Sequence, residues 1–313
     1  MSNSSSTEQQ VPKLSKTADL DIKNAVAKKI IALVPWIFVF LWSTGFIGAK
    51  YTVAYSEPYF LLFLRGILSC IAFAVLALLF KADWPSKSTA LKQMTTGLMI
   101  QAMFLGGCFK AIYLGMPAAF VSLVTGMQPI LTALIVTSLY RKKFKAIQWV
   151  AIAIGFLGVY LVLNPNTENN TIEFSAILAA AVGLLGMTIG SLYQKRFRGN
   201  GHVLTQVFFQ YVSLTLIMGM LTFIFEKQNV LWSASFVLGL GWLVFVVSVC
   251  AILLLMFMIE SGESTKVATY FYLVPVFTAI ESWLLFNESI STIGMLGMIF
   301  SLVGLLVFMR TSN

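Results

Sequence analysis

This 313-residue chain predicts an all-α integral membrane fold of ten transmembrane helices, arranged as two inverted five-helix repeats. Three observations predict it. The composition is 58% hydrophobic and 11% charged, with mean hydropathy +0.87, whereas a soluble domain carries roughly 25% charged residues. Apolar segments of about 20 residues recur along the chain, each long enough to cross the hydrocarbon core as a helix. The chain also repeats on itself. A shift of 146 residues sets Pro129 on Pro275, Thr132 on Thr278, Ala151 on Gly297 and Gly158 on Gly304.

The elements follow in order. Residues 1–29 are polar, have little to bury, and read as a disordered cytoplasmic tail. Ten apolar segments then lie near 31–50, 58–80, 94–115, 117–140, 146–163, 174–194, 203–225, 233–258, 266–286 and 289–309. They lack the short apolar–polar alternation of outer-membrane barrel strands. The first repeat spans 30–163, a polar linker spans 164–173, and the second repeat spans 174–313. Each repeat holds an odd number of spans, so the second enters the membrane from the opposite side.

Charge sets the orientation. Seventeen of the 21 Lys and Arg residues fall on one side if the N-terminus is cytoplasmic: Lys13, Lys16, Lys23, Lys28 and Lys29 in the tail, then the loops at 81–92, 141–145 and 195–198, with Lys266 and Arg310. Cytoplasmic loops carry such an excess. Both termini are therefore expected in the cytoplasm and the chain in the inner (plasma) membrane as a multi-pass protein. The net charge of +9 is explained by this distribution and implies no nucleic-acid partner.

Pro129 and Pro275 each interrupt an apolar segment, at matching places in the two halves. Proline frees a backbone carbonyl that hydrocarbon cannot satisfy. Such breaks in corresponding segments of inverted repeats point to the binding site of a transporter, with the two prolines letting their helices bend.

The runs FLWSTGFIGAKY (40–51) and FLRG (63–66) open the first repeat. Residues 116–163, MPAAFVSLVTGMQPILTALIVTSLYRKKFKAIQWVAIAIGFLGVYLVL, close it, and STKVATYFYLVPVFTAIESWLLFNESISTIGMLGMIFSLVGLLVFM (264–309) is their counterpart. In these runs the chain resembles the drug/metabolite transporter superfamily, of the ten-helix EamA type, over nearly all of 30–309. The resemblance implies secondary active transport of a small metabolite by alternating access. It also implies a cavity built by helices one to four and six to nine, with five and ten peripheral. An amino acid or similar zwitterion or anion, exported, is the first expectation. Import or exchange of a nucleotide-like molecule such as an adenosyl compound is the alternative, and a passive channel is a further one.

Several side chains are candidates for substrate binding. Arg65 sits inside the second span, where an ionised residue is costly and faces a cavity or a partner. Its planar fork of donors suits a carboxylate or phosphate. Lys110 and Lys50 lie near span ends and either snorkel or contribute positive charge. Glu281, six residues after Pro275, either forms a salt bridge, binds cargo or carries a proton. Ser122, Thr125, Gln128 and Thr132 share one helix face with Pro129, as a hydrated cavity wall requires. Tyr272, Thr278 and Ser282 supply an opposite wall. Trp42 offers a ring for stacking on a flat ligand or for packing against neighbouring helices. Glu288 is expected to cap the last helix, and Gly106 and Gly107 to loosen the third. Gly186 and Gly190 are read as packing within one subunit.

Other chemistry is absent from the sequence. No GxxxxGK[ST] loop for ATP occurs. Cys70, Cys108 and Cys250 lie in apolar segments, and no paired carboxylates or Cys/His cluster supports an enzyme, a metal or a cofactor. The expected partners are a small-molecule substrate and the lipid bilayer, with the protein a monomer or a dimer.

Overall fold

The computed structural model describes residues 14–140, 145–163, 172–197, 201–260, 271, 273–288 and 291–312. Among these, ten helical elements follow one another: α1 Leu14–Val53, α2 Pro58–Leu79, α3 Lys87–Tyr113, α4 Ala118–Leu139, α5 Ala146–Leu163, α6 Phe174–Arg196, α7 Val203–Phe225, α8 Ala234–Leu255, α9 Val274–Phe286 and α10 Thr292–Ser312. Eight are long and apolar enough to cross a membrane, and α5 and α9 are shorter apolar helices. The helix of α8 continues through Ile252–Glu260. Helix α1 begins at Leu14, well before the apolar segment, so part of the stretch expected to be a disordered tail is helical.

The inversion is visible in how equivalent helices pack. Helices α5 and α10 meet along a seam of small residues. A Cβ at Gly158 would lie 2.4 Å from the Gly297 carbonyl oxygen, and one at Gly304 would lie 2.6 Å from that of Ala151. The Ser301 hydroxyl donates to the Gly155 carbonyl at 3.2 Å, and these two residues are themselves repeat-mates. Early residues of one helix thus face late residues of the other, which makes equivalent helices antiparallel. Helices α2 and α7 repeat the pattern: Phe63 packs on Gly219 and Phe223, and Phe73 stacks on Tyr211 at 5.6 Å. Two equivalent helices can touch in antiparallel register only when the halves are threaded in opposite senses.

The remaining faces of α5 and α10 expose Phe156, Leu157, Ile299 and Val303, as a lipid-facing pair should. The main core is formed instead by buried residues of α1, α2, α3, α7 and α8, with contributions from α4, α6 and α9. Close helix approach serves packing within the chain: Gly186 meets Met99 and Met103, and Gly190 meets Met99 and Ile100 of α3.

Loops on the two membrane faces are clasped. On one face, the Glu226 carboxylate accepts hydrogen bonds from Tyr59 N (2.9 Å), Phe60 N (2.7 Å) and the Thr222 hydroxyl (2.9 Å). It satisfies the orphan N–H groups that open α2, where Pro58 already removes one. Glu57 reciprocates by accepting from Lys227 N and Asn229 N. Replacing Glu226 with alanine should cost about 1–3 kcal/mol, since the partly buried donors lose a charged acceptor; a lowered melting temperature in detergent is the readout. On the other face, Thr205 donates to the Asp83 carbonyl, and His202 caps α7 through Leu204 N.

Two local expectations are corrected. Glu288 does not cap α10; it pairs with Lys50, and Ser291 caps α10 through Gly294 N at 3.0 Å. The chain turns at Asn287, whose left-handed φ of 51° ends α9 before the acid is reached. Gly106 and Gly107 lie in regular helix, and the irregular part of α3 is Leu98–Met103.

Candidate functional site

Helix α4 is broken at Met127, between the segments Ala118–Gly126 and Gln128–Tyr140, immediately before Pro129. Helix α9 starts at Val274 with Pro275 in its first turn. The two breaks face each other: a Cβ on Gly126 would sit 3.4 Å from Pro275 Cγ. Both prolines line a cavity.

A second symmetric irregularity adjoins them. Residues Leu98–Met103 of α3 and Trp242–Ala251 of α8 are π-helical, and the repeat shift carries the first stretch into the second. Widened turns of this kind are frequent at functional sites because they re-aim side chains out of the regular ladder.

The cavity between the repeats has two lobes that share Trp42, Phe46 and Phe104. The larger, about 580 Å³, is walled by α1, α2, α3, α7 and α8. The smaller, about 440 Å³, is walled by α1, α3, α4, α6 and α9 together with Phe271. Helices α5 and α10 contribute to neither lobe.

Arg65 lines the larger lobe and is 2% exposed. Its Nε and Nη2 both donate to the Ser248 hydroxyl, at 3.1 and 3.0 Å, and that hydroxyl donates onward to the Leu243 carbonyl at 3.0 Å. The Tyr211 side chain lines the same lobe, and the guanidinium carbon lies 5.8 Å from the centre of the Phe109 ring. Among the described residues no carboxylate forms an ion pair with Arg65. A neutral hydroxyl oxygen does not saturate five N–H donors, so the site retains both charge and donors for an anion.

The other candidates fall in different places. Trp42 lines both lobes and meets Phe271 edge-on at 5.2 Å. Thr125 and Gln128 line the smaller lobe, where the Gln128 amide donates to the Ser191 hydroxyl at 3.0 Å and the Thr125 hydroxyl returns to the Val121 carbonyl. Lys110 lies outside both lobes, over the rings of Tyr59 and Tyr113. Thr278 is fully buried and donates to the Val274 carbonyl. Glu281, 8% exposed, accepts from the Ser43 hydroxyl at 2.7 Å, while its Oε2 is buried without a hydrogen-bond partner among the described residues. Tyr272 lies outside the described residues.

The family model described as the EamA-like transporter family matches this chain twice, at residues 29–164 and 174–310. The chain belongs to the EamA-like transporter family. The two matches coincide with the two halves related by the antiparallel seam, so this EamA-like protein is a multi-pass membrane transporter built from two repeats. An uncharacterized transporter of Bacillus subtilis, YvbV, is 23% identical over 281 residues, covering 83% of this chain and 85% of that protein. An S-adenosylmethionine uptake transporter of Rickettsia prowazekii is 23% identical over 175 residues, 55% of this chain and 56% of the relative. An Escherichia coli protein named as a probable amino-acid metabolite efflux pump is 21% identical over 282 residues, 87% and 92% of the two chains. A solved crystal structure superposes with a TM-score of 0.61 at 16% identity, covering 89% of this chain and 96% of that one, which shows a shared fold.

Sequence reasoning missed several residues of this EamA-like site. Ser248 was hidden in an apolar run and comes to Arg65 only through the π-helical stretch. Gln101 and Phe104 enter the larger lobe the same way from α3. Tyr211 had a usable signal, because the repeat shift places it on Arg65. Replacing Ser248 with alanine should weaken anion binding several-fold by freeing the guanidinium to drift; titration of the purified protein by thermal shift measures it.

Proposed function

We propose that the protein is a secondary active transporter that exports a small carboxylate-bearing metabolite, an amino acid or similar zwitterion or anion, across the cytoplasmic membrane by alternating access. The observation that carries this reading is Arg65, a buried guanidinium with no carboxylate partner among the described residues, at a cavity between inverted repeats. Burying such a charge is costly unless something pairs with it, and the cargo supplies the pair. The two repeats rock about the cavity, and the breaks before Pro129 and Pro275 are the places where α4 and α9 bend. The excess of Lys and Arg in the loops on one side supports cytoplasmic termini. On that orientation the Lys50–Glu288 pair ties α1 to the α9–α10 loop on the outer side. A proton gradient or the cargo's own gradient drives the cycle.

Counterflow into proteoliposomes tests this. Vesicles preloaded with unlabelled carboxylate should transiently accumulate labelled carboxylate above equilibrium, and Arg65→Lys should slow it. Conductance without saturation would instead indicate a passive channel. A second reading, import or exchange of an adenosyl compound, is favoured by the Rickettsia relative and by the Trp42 ring at the junction of the lobes. Labelled adenosyl compounds in the same vesicles separate the two.

A further inference from the structure

Resting on that reading of Arg65 as the cargo anchor, we infer that the preferred cargo is a monoanion with a flat apolar body and no ammonium group. Of the described residues lining the two lobes, Arg65 alone is charged. The shared junction is formed by the rings of Trp42, Phe46 and Phe104, and Phe109 lies beside the guanidinium. These walls favour an apolar, planar body, with one anionic end held by the planar donor fork.

An α-amino acid needs more. Its ammonium sits two bonds from the carboxyl carbon, so a guanidinium that holds the carboxylate crowds the ammonium with like charge. At such short range that repulsion opposes binding. A carboxylate would relieve it, and none lines either lobe among the described residues. The buried acid Glu281 lines neither lobe. Trp42, Gly45, Phe46 and Ala49 form the face of α1 turned to the cavity. Ser43 and Lys50, seven residues apart on another face, meet Glu281 and Glu288 instead. Glu57 and Glu226 are engaged in the loop clasp at the membrane face.

A matched panel tests this on the intact purified protein in nanodiscs: 3-phenylpropionate, phenylalanine, 3-phenylpropionamide and phenethylamine, with binding read by thermal shift. These probes share one ring and differ in the carboxylate, amide and ammonium groups they carry. The expected order has 3-phenylpropionate binding at least tenfold more tightly than phenylalanine, with the amide weaker again and the amine undetected. In Arg65→Gln the preference of propionate over amide should disappear. Phenylalanine binding as tightly as 3-phenylpropionate, or more tightly, would overturn the inference; if that binding is still lost in Arg65→Gln, the carrier reading with Arg65 as anchor survives. Equal binding of all four, unaltered in Arg65→Gln, would overturn both. Binding of none would overturn the inference and leaves counterflow to judge the carrier reading. The wild-type panel decides the main point without any variant, so misfolding of Arg65→Gln does not obscure it.

Discussion

Arg65→Gln is expected to weaken binding of the anionic cargo by about 10–100-fold, the equivalent of losing a charge-assisted hydrogen bond of roughly 1.5–3 kcal/mol. The fold should survive. Glutamine removes a buried charge, relieving its desolvation, and still offers an amide to the Ser248 hydroxyl that holds Arg65 at 3.0–3.1 Å. Arg65→Lys should fall between the two, because an ammonium keeps the charge and loses the planar fork. Dissociation constants from thermal shift, paired with counterflow rates, separate binding from turnover. Unchanged affinity in both variants would remove Arg65 from the site.

The second large effect concerns stability. Gly158→Leu should destabilise the protein by at least about 1–3 kcal/mol, the usual cost of overpacking a close contact. A Cβ there would lie 2.3 Å from Ser301 Oγ, 2.4 Å from the Gly297 oxygen and 2.4 Å from Ser301 N. Two of those atoms are backbone and cannot step aside without separating α5 from α10. Gly304→Leu should behave alike, since its Cβ would meet Gly155 N and the Ala151 oxygen. Gly241→Ala is the control, with nothing within 4 Å of the added atom; its melting temperature should hold or rise slightly. Melting temperatures in detergent provide the comparison.

Much of this architecture was written in the residues. Length, hydropathy and the 146-residue repeat gave ten spans and the inversion, because membrane crossing and helix pairing depend on local composition and on small residues such as Gly158 and Gly304. Pro129 and Pro275 located the smaller lobe, since a freed carbonyl has few places to go in a membrane. What stayed hidden depends on long-range register. The π-helical turns at Leu98–Met103 and Trp242–Ala251 are set by packing between α3, α8 and their neighbours, and their apolar sequences look like ordinary helix. The partner of Arg65 could not be foreseen for that reason. Glu288 was misread because a single left-handed residue, Asn287, redirects the chain toward Lys50. Glu281 was read as forming a salt bridge, binding cargo or carrying a proton; it meets Ser43 and lines neither lobe.

Alternating access is tested most directly by thiol labelling in the shared cavity. Cys70, Cys108 and Cys250 carry free thiols, and replacing them with alanine gives a silent background. Gln101→Cys then places one reporter on the wall of the larger lobe. With membrane-impermeant reagent on one side at a time, the carrier mechanism predicts reaction from either side, with cargo added to one side shifting reactivity toward the other. Simultaneous, cargo-independent reaction from both sides, or from neither, would contradict it.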